Sequence, residues 1–136
     1  PAGDAAPAGD APSLDAVVPP SLTCAVVRTM VAAALADGDF ADGERRLIEG
    51  RLDESGLAAE DLAQVRRDMV LPPSPRELAA LVTDAAGREL LYRFAAAVVL
   101  ADRRVSELEE TWLERLADAF GLSAERRAEL RAEVAG

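Results

Sequence analysis

Residues 30–44 read MVAAALADGDFADGE, and residues 95–109 read AAAVVLADRRVSELE. The second stretch lies 65 positions after the first without a gap, and each contains Leu-Ala-Asp with a Glu seven residues after the Asp. In both, an apolar run with helical spacing ends at the Asp, and a new helical pattern begins near the Glu. The sequence therefore predicts a helix–loop–helix unit that occurs twice, with acidic loops at 37–44 and 102–109.

The match continues beyond the loops. Glu49 aligns with Glu114, and Gly56-Leu57 aligns with Gly121-Leu122. This register indicates an internal duplication. Two such units facing each other would bury their inner helices, so we expect an all-α, compact bundle of about seven helices.

The helix boundaries follow from capping residues and breakers. The first helix is predicted behind Ser21 and ends at Asp37-Gly38. The second and third helices are predicted at about 42–55 and 58–70, and the fourth begins at Pro75 behind a Ser74 cap. The fifth is predicted at 85–101 behind an Asp84 cap, the sixth at 106–121, and the last follows a Ser123 cap. The fifth is apolar nearly all round at 94–100, which predicts a central position. The arginines of the last helix, Arg126, Arg127 and Arg131, are expected to face solvent.

The first twenty residues repeat the motif Pro-Ala-Gly-Asp-Ala and show no hydrophobic periodicity. Such a composition buries too little apolar surface to offset the entropy of ordering the chain. We therefore expect a disordered linker over residues 1–20 and one helical domain over residues 21–136. A domain of this length is large enough to bury a substantial core.

Missing residue types narrow the possible functions. The chain has no His, Lys or Asn, so all 15 basic residues are Arg, and its only cysteine is Cys24. Imidazole bases, lysine Schiff bases and cysteine-rich zinc sites are therefore excluded within this sequence. A net charge of −10 argues against nucleic acid as a partner, because such binding needs clustered basic side chains. We predict no catalytic residues, and no stretch is long and apolar enough to insert into a membrane.

The first acidic loop carries four carboxylates within eight residues, a density that suits a hard divalent cation such as Ca²⁺ or Mg²⁺. Its candidate ligands are Asp37, Asp39, Asp42 and Glu44. The spacing is not that of an EF-hand, because Asp42 stands where that loop requires Gly. The second loop offers Asp102 and Glu109 as poorer candidates, since Arg103 and Arg104 add positive charge there.

A structural explanation competes with the metal hypothesis. An Asp at the end of a helix accepts bonds from loop amides, and a Glu in the first turn of the next helix stabilises the positive end of its dipole. The repeated Asp and Glu would then only fix the turns, and Ser106 with Glu109 has the pattern of a capping box. Both explanations stay open at this level.

Two motifs around the loops are distinctive. The stretch Met30–Gly38 followed by Glu44 fits the pattern MxAAxxADGxxxxxE. The second motif comprises Ala101-Asp102, Val105, Ser106 and Glu109, followed by Leu113–Ala117 and Gly121-Leu122. Together they resemble the TerB-like superfamily of tellurite-resistance and co-chaperone-associated domains, most closely its DUF533 branch of bacterial proteins. The resemblance covers about residues 22–135, and Arg103 departs from the family's Gly.

The resemblance implies a seven-helix fold with duplicated halves, a metal association of the acidic loops, and a place in bacterial stress or metal-resistance systems near the inner membrane. We therefore expect a non-enzymatic, cytoplasmic domain linked to tellurite or metal stress, with a divalent cation in its acidic loops and no other cofactor. It would bind a protein partner in a membrane-associated complex and be tethered through an upstream segment. The alternative is a protein–protein interaction scaffold whose acidic loops are purely structural.

Overall fold

The computed structural model describes residues 18–36, 46, 49–50, 52, 56–101 and 105–135. Within these ranges the chain forms one 3-10 turn and six α-helices, with no strand. The turn is Pro20–Leu22, and the helices are α1 (Thr23–Ala34), α2 (Ala59–Asp68), α3 (Pro75–Leu81), α4 (Ala85–Leu100), α5 (Glu107–Phe120) and α6 (Ala124–Ala135). The all-α prediction is confirmed, with six described helices in place of about seven.

The helix predicted at 42–55 lies mostly outside the described residues. Four residues within that span are described, and all four are helical: Arg46, Glu49, Gly50 and Leu52. The smaller count of helices therefore reflects the part of the chain that the structure describes.

Helix α4 occupies the centre of the bundle and packs against α1, α5 and α6. Between Gly87 and Leu100 only Ala97 is exposed, so almost no face of this helix meets water. An apolar helix of this kind must be covered on several sides. Helix α2 packs on α1, and α3 packs on α5 and α1. The predicted central position of α4 is confirmed.

The hydrophobic core has two parts. The larger joins α1, α3, α4, α5 and α6 around Leu78, Leu91 and Leu116, all fully buried. The smaller lies where α2 packs on α1, and its buried members are Val31, Leu52, Val65 and Met69. The first described residue, Val18, also packs against the larger cluster.

Local capping explains where most of the helices begin. The Ser74 hydroxyl accepts a bond from the Glu77 amide at 3.1 Å, and the Glu77 carboxylate accepts one from the Ser74 amide at 2.8 Å. Asp84 accepts a bond from the Gly87 amide at 2.8 Å, and Ser123 accepts one from the Arg126 amide at 3.0 Å. These groups satisfy backbone amides that have no partner inside their helix, and all of the caps were predicted.

The start of α1 was predicted wrongly. The N-cap residue is Leu22 rather than Ser21, and no side chain caps the helix. Instead, the Leu22 amide donates to the carbonyl of Pro19 at 2.9 Å in the preceding 3-10 turn. The 3-10 turn at Pro20–Leu22 therefore leads directly into the helix, which begins at Thr23.

The duplication is visible in the described backbone. Gly56 and Gly121, which are 65 positions apart, both adopt the left-handed conformation, with φ of 75° and 76°. Three residues after each glycine a helix begins, α2 at Ala59 and α6 at Ala124. Since left-handed backbone favours glycine, both units use the same turn before their outer helix.

One ion pair recurs in both units. Arg28 of α1 bonds Asp68 of α2 at 2.7 Å, and 65 positions later Arg93 of α4 bonds Glu133 of α6 at 3.0 Å. Their surroundings differ, because the Arg28 and Asp68 side chains are 17% and 3% exposed, whereas those of Arg93 and Glu133 are 33% and 48% exposed. The first pair is therefore largely removed from water, and Gln64 donates a further bond to Asp68 at 3.0 Å.

We expect Asp68→Ala to lower the free energy of unfolding by about 2 kcal/mol, because it leaves the half-buried Arg28 guanidinium without its carboxylate. Glu133→Ala removes the equivalent bond between more exposed side chains and should cost less than about 1 kcal/mol. Urea denaturation of both variants at neutral pH measures the two losses. Equal losses would show that burial does not distinguish the two pairs.

Candidate functional site

Glu109 is the one predicted metal ligand that falls within the described residues. Its amide donates to the Ser106 hydroxyl at 3.1 Å, and its carboxylate accepts a bond from the Ser106 amide at 2.9 Å. The residue is only 8% exposed. This capping box was predicted, and it occupies one oxygen of the Glu109 carboxylate at the start of α5.

The other predicted ligands, Asp37, Asp39, Asp42, Glu44 and Asp102, lie outside the described residues. Among residues 18–36, 46, 49–50, 52, 56–101 and 105–135, no group of three or more Asp, Glu, Cys or His side chains is placed to hold a metal ion. The cation site at 37–44 therefore stays a prediction from the sequence.

The arginines of α6 connect this helix to α5. Arg131 donates two bonds to the Glu110 carboxylate, each 2.9 Å long. Arg127 bonds Glu114 at 2.5 Å and Asp118 at 2.9 Å. The expectation of a solvated face is correct only in part, because these arginines are half-buried and also bond carboxylates of α5. The periodicity of α6 alone gives no sign of those partners, since they lie on another helix. Carboxylate contact raises the pKa of both guanidinium groups, which stay charged.

Arg126 connects α6 to the central helix α4. Its guanidinium bonds both oxygens of Glu89, at 2.7 and 2.8 Å. This two-point contact is the geometry that a planar guanidinium makes best with a carboxylate. The Arg126 guanidinium holds the pKa of Glu89 below its ordinary value.

A shallow groove of about 490 Å³ lies between α5 and α6 and is lined by Glu114, Ala124, Arg127, Ala128 and Arg131. Both of its arginines already bond carboxylates of α5. Tyr92 of α4 is fully buried, and burial raises the pKa of its phenol. Its hydroxyl and Arg127 Nε have no hydrogen-bond partner within the described part of the chain. The charged groups of this groove therefore serve mainly to join the helices.

A second groove, of about 460 Å³, lies between α1 and α2 and includes Cys24, Arg28, Asp61 and Leu81. The Cys24 thiol is half-buried, and burial together with the nearby Asp61 raises its pKa. Because the thiolate is the reactive form, a raised pKa keeps this cysteine protonated and unreactive at neutral pH. The structure thus places Cys24 as a small packing residue at the edge of the groove.

The connection between α2 and α3 holds the most exposed large apolar side chains of the described residues. Val70 and Leu71 are each 80% exposed, compared with 61% for Leu108 and 41% for Leu81. Val70 was predicted as the last residue of a helix, and its exposure was not predicted. The available signal was a run of three apolar residues, 69–71, directly before two prolines.

The fold and the recurring turn and ion pair define an all-helical domain made of two related units. The profile of the family described as "Protein of unknown function (DUF533)" matches residues 5–134. The chain belongs to this DUF533 family, as its two motifs predicted. No curated protein and no solved structure matches the chain significantly. None of the described helices is both long and apolar enough to span a bilayer.

The Glu89–Arg126 pair should make the stability of the domain depend on acid pH. Because the folded pKa of Glu89 lies below its unfolded value of about 4.3, the pair contributes fully above that pH and loses its contribution as pH falls through the folded pKa. Glu89→Gln should therefore lower the free energy of unfolding at neutral pH by about 0.5–1 kcal/mol, and the difference from wild type should close as the pH falls through the folded pKa of Glu89.

Urea denaturation across this pH range measures the effect. Glu125→Gln is the matched control, because Glu125 is an exposed glutamate on α6, next to Arg126, without a hydrogen bond or ion pair to the described residues. A Glu89→Gln difference that stays constant from neutral to acid pH would contradict the assignment.

Proposed function

We propose that this DUF533 domain is a non-catalytic binding module for a protein partner. The observation that carries the proposal is the exposure of Val70 and Leu71, each at 80%, on the connection between α2 and α3. Contiguous exposed apolar side chains rimmed by charged groups are typical of interaction sites. A rigid bundle that displays such a surface suits a scaffold better than a catalyst.

The use of the polar side chains supports a non-enzymatic role. Ser74, Ser106 and Ser123 cap helices, and the arginines of α6 hold that helix against α4 and α5. These serines and arginines are thus engaged in maintaining the fold. The Cys24 thiol, with its raised pKa, is poorly suited to nucleophilic attack.

A divalent cation at the first acidic loop is the second candidate function. Four carboxylates within residues 37–44 support it, because oxygen ligands at this density suit Ca²⁺ or Mg²⁺. With a cation there, the domain would act in tellurite or metal stress as part of a membrane-associated complex on the cytoplasmic side. The second loop is the weaker candidate, since Glu109 is already bonded to Ser106.

The two proposed functions differ in whether a protein partner still binds when carboxylates of the first acidic loop are removed. We expect wild type and the Asp37→Asn/Glu44→Gln variant to bind the same purified protein partner, obtained by cross-linking in cells, with dissociation constants that agree to within about twofold. Circular dichroism verifies that the variant is folded. Absence of any saturable partner, or loss of the partner with the loop carboxylates, would overturn the proposed binding function.

Calorimetry tests the cation directly. If the first loop holds a cation, titration with Ca²⁺, Mg²⁺, Mn²⁺ or Zn²⁺ should give a saturable signal in wild type that is lost in Asp37→Asn/Glu44→Gln. Glu109→Gln should keep that signal, because it alters only the second loop. No binding by wild type, or equal binding by wild type and the Asp37→Asn/Glu44→Gln variant, would end the metal hypothesis.

A further inference from the structure

The connection between α2 and α3 carries an apolar surface held by its own backbone. Its three consecutive exposed residues are Val70, Leu71 and Pro72. They stand between two buried neighbours, since Met69 lies in the smaller core cluster and Pro73 is also buried. We call these three residues, together with the exposed Arg67 and Arg76, the arginine-flanked tip.

Backbone bonds fix the conformation of the tip. The amides of Val70 and Leu71 both donate to the Arg67 carbonyl, at 3.0 and 2.9 Å. The next two residues are Pro72 and Pro73, whose rings fix their own φ angles, and the Ser74 capping box fixes the start of α3. A surface that is already ordered loses little conformational entropy on binding.

The charge around the tip is opposite to that of the whole chain. Arg67 bonds only the neutral amide oxygen of Gln64, at 2.7 Å, and Arg76 has no hydrogen bond or ion pair with a described residue. Each has an acidic neighbour in sequence whose carboxylate is already bonded, since Asp68 is buried and bonded to Arg28, and Glu77 accepts a bond from the Ser74 amide. A chain of net charge −10 thus presents a local basic surface around exposed Val70 and Leu71.

We propose that the arginine-flanked tip docks a short segment of a partner protein that carries carboxylates on either side of a large apolar side chain. Guanidinium groups bind carboxylates well, and the apolar side chain would cover Val70 and Leu71. The assignment rests on the proposed binding function, and it specifies the surface and the chemistry of the partner.

A short peptide fits this surface better than an anionic membrane does. A peptide contacts the tip alone, whereas a bilayer is a plane that brings other acidic parts of the chain close to lipid phosphates. At physiological ionic strength, charges within about 8 Å of each other are poorly screened, so the remaining carboxylates would oppose the membrane.

Selection from a random dodecapeptide library on the intact chain tests the proposal. We expect enriched peptides to carry Asp or Glu on both sides of a large apolar residue. A synthetic copy of the best peptide should lose affinity about tenfold with Val70→Ser/Leu71→Ser and about threefold with Arg67→Gln/Arg76→Gln. Fluorescence anisotropy measures both losses, and unchanged melting temperatures show that the variants fold.

The matched controls are Leu108→Ser and Arg115→Gln, an exposed leucine and an exposed arginine on α5, and both should bind like wild type. No enrichment, enrichment without acidic residues, or equal binding to Val70→Ser/Leu71→Ser would overturn the proposal. So would binding to phosphatidylglycerol vesicles that requires Val70 and Leu71. If the partner obtained by cross-linking in cells binds Val70→Ser/Leu71→Ser as tightly as wild type, the assignment of the tip fails while the proposed binding function stands.

Discussion

Helix α4 cannot face water, and the arrangement of the other helices follows from this constraint. Its residues from Phe94 to Leu100 are all apolar, and Ala95, Ala96 and Val99 are fully buried. The alanines allow α1, α5 and α6 to approach closely. Because α1 and α4 occupy equivalent places in the two units, their contact also joins the halves into one bundle.

The outer helix α6 is attached by charge as much as by apolar contact. Leu130 is its only fully buried side chain within the described residues 124–135, so burial alone gives it a thin interface. Arg126 and Arg131 each form a two-point bond with a carboxylate, which a planar guanidinium makes better than an ammonium group. In this chain, which has no lysine, arginines therefore form the charged contacts that hold α6 against α4 and α5.

Local features were predictable from the sequence, and tertiary features were not. The caps at Ser74, Asp84 and Ser106 depend on residues three positions away, so the sequence alone shows them. The arginine bonds of α6 and the exposure of Leu71 depend on which helices pack together. The hydrophobic periodicity of a single helix does not predict those contacts. The Ser21 cap was predicted wrongly because Ser21 lies inside a 3-10 turn and the helix begins only after Leu22. The ligands predicted at 37–44 lie outside the described residues.

The two units share backbone features, but their charged side chains make different contacts. The turn before the outer helix recurs in both, as does the bond from the inner helix to the outer one. In the second unit, Glu109 caps a helix and Arg126 holds α6 against α4, so these charges maintain the fold. In the first unit, Arg67 bonds no carboxylate of the described chain, and neither does Arg76 on α3, which lies between the two units. The two units are thus structurally equivalent, but Val70 and Leu71, the most exposed large apolar side chains of the described residues, follow only the first.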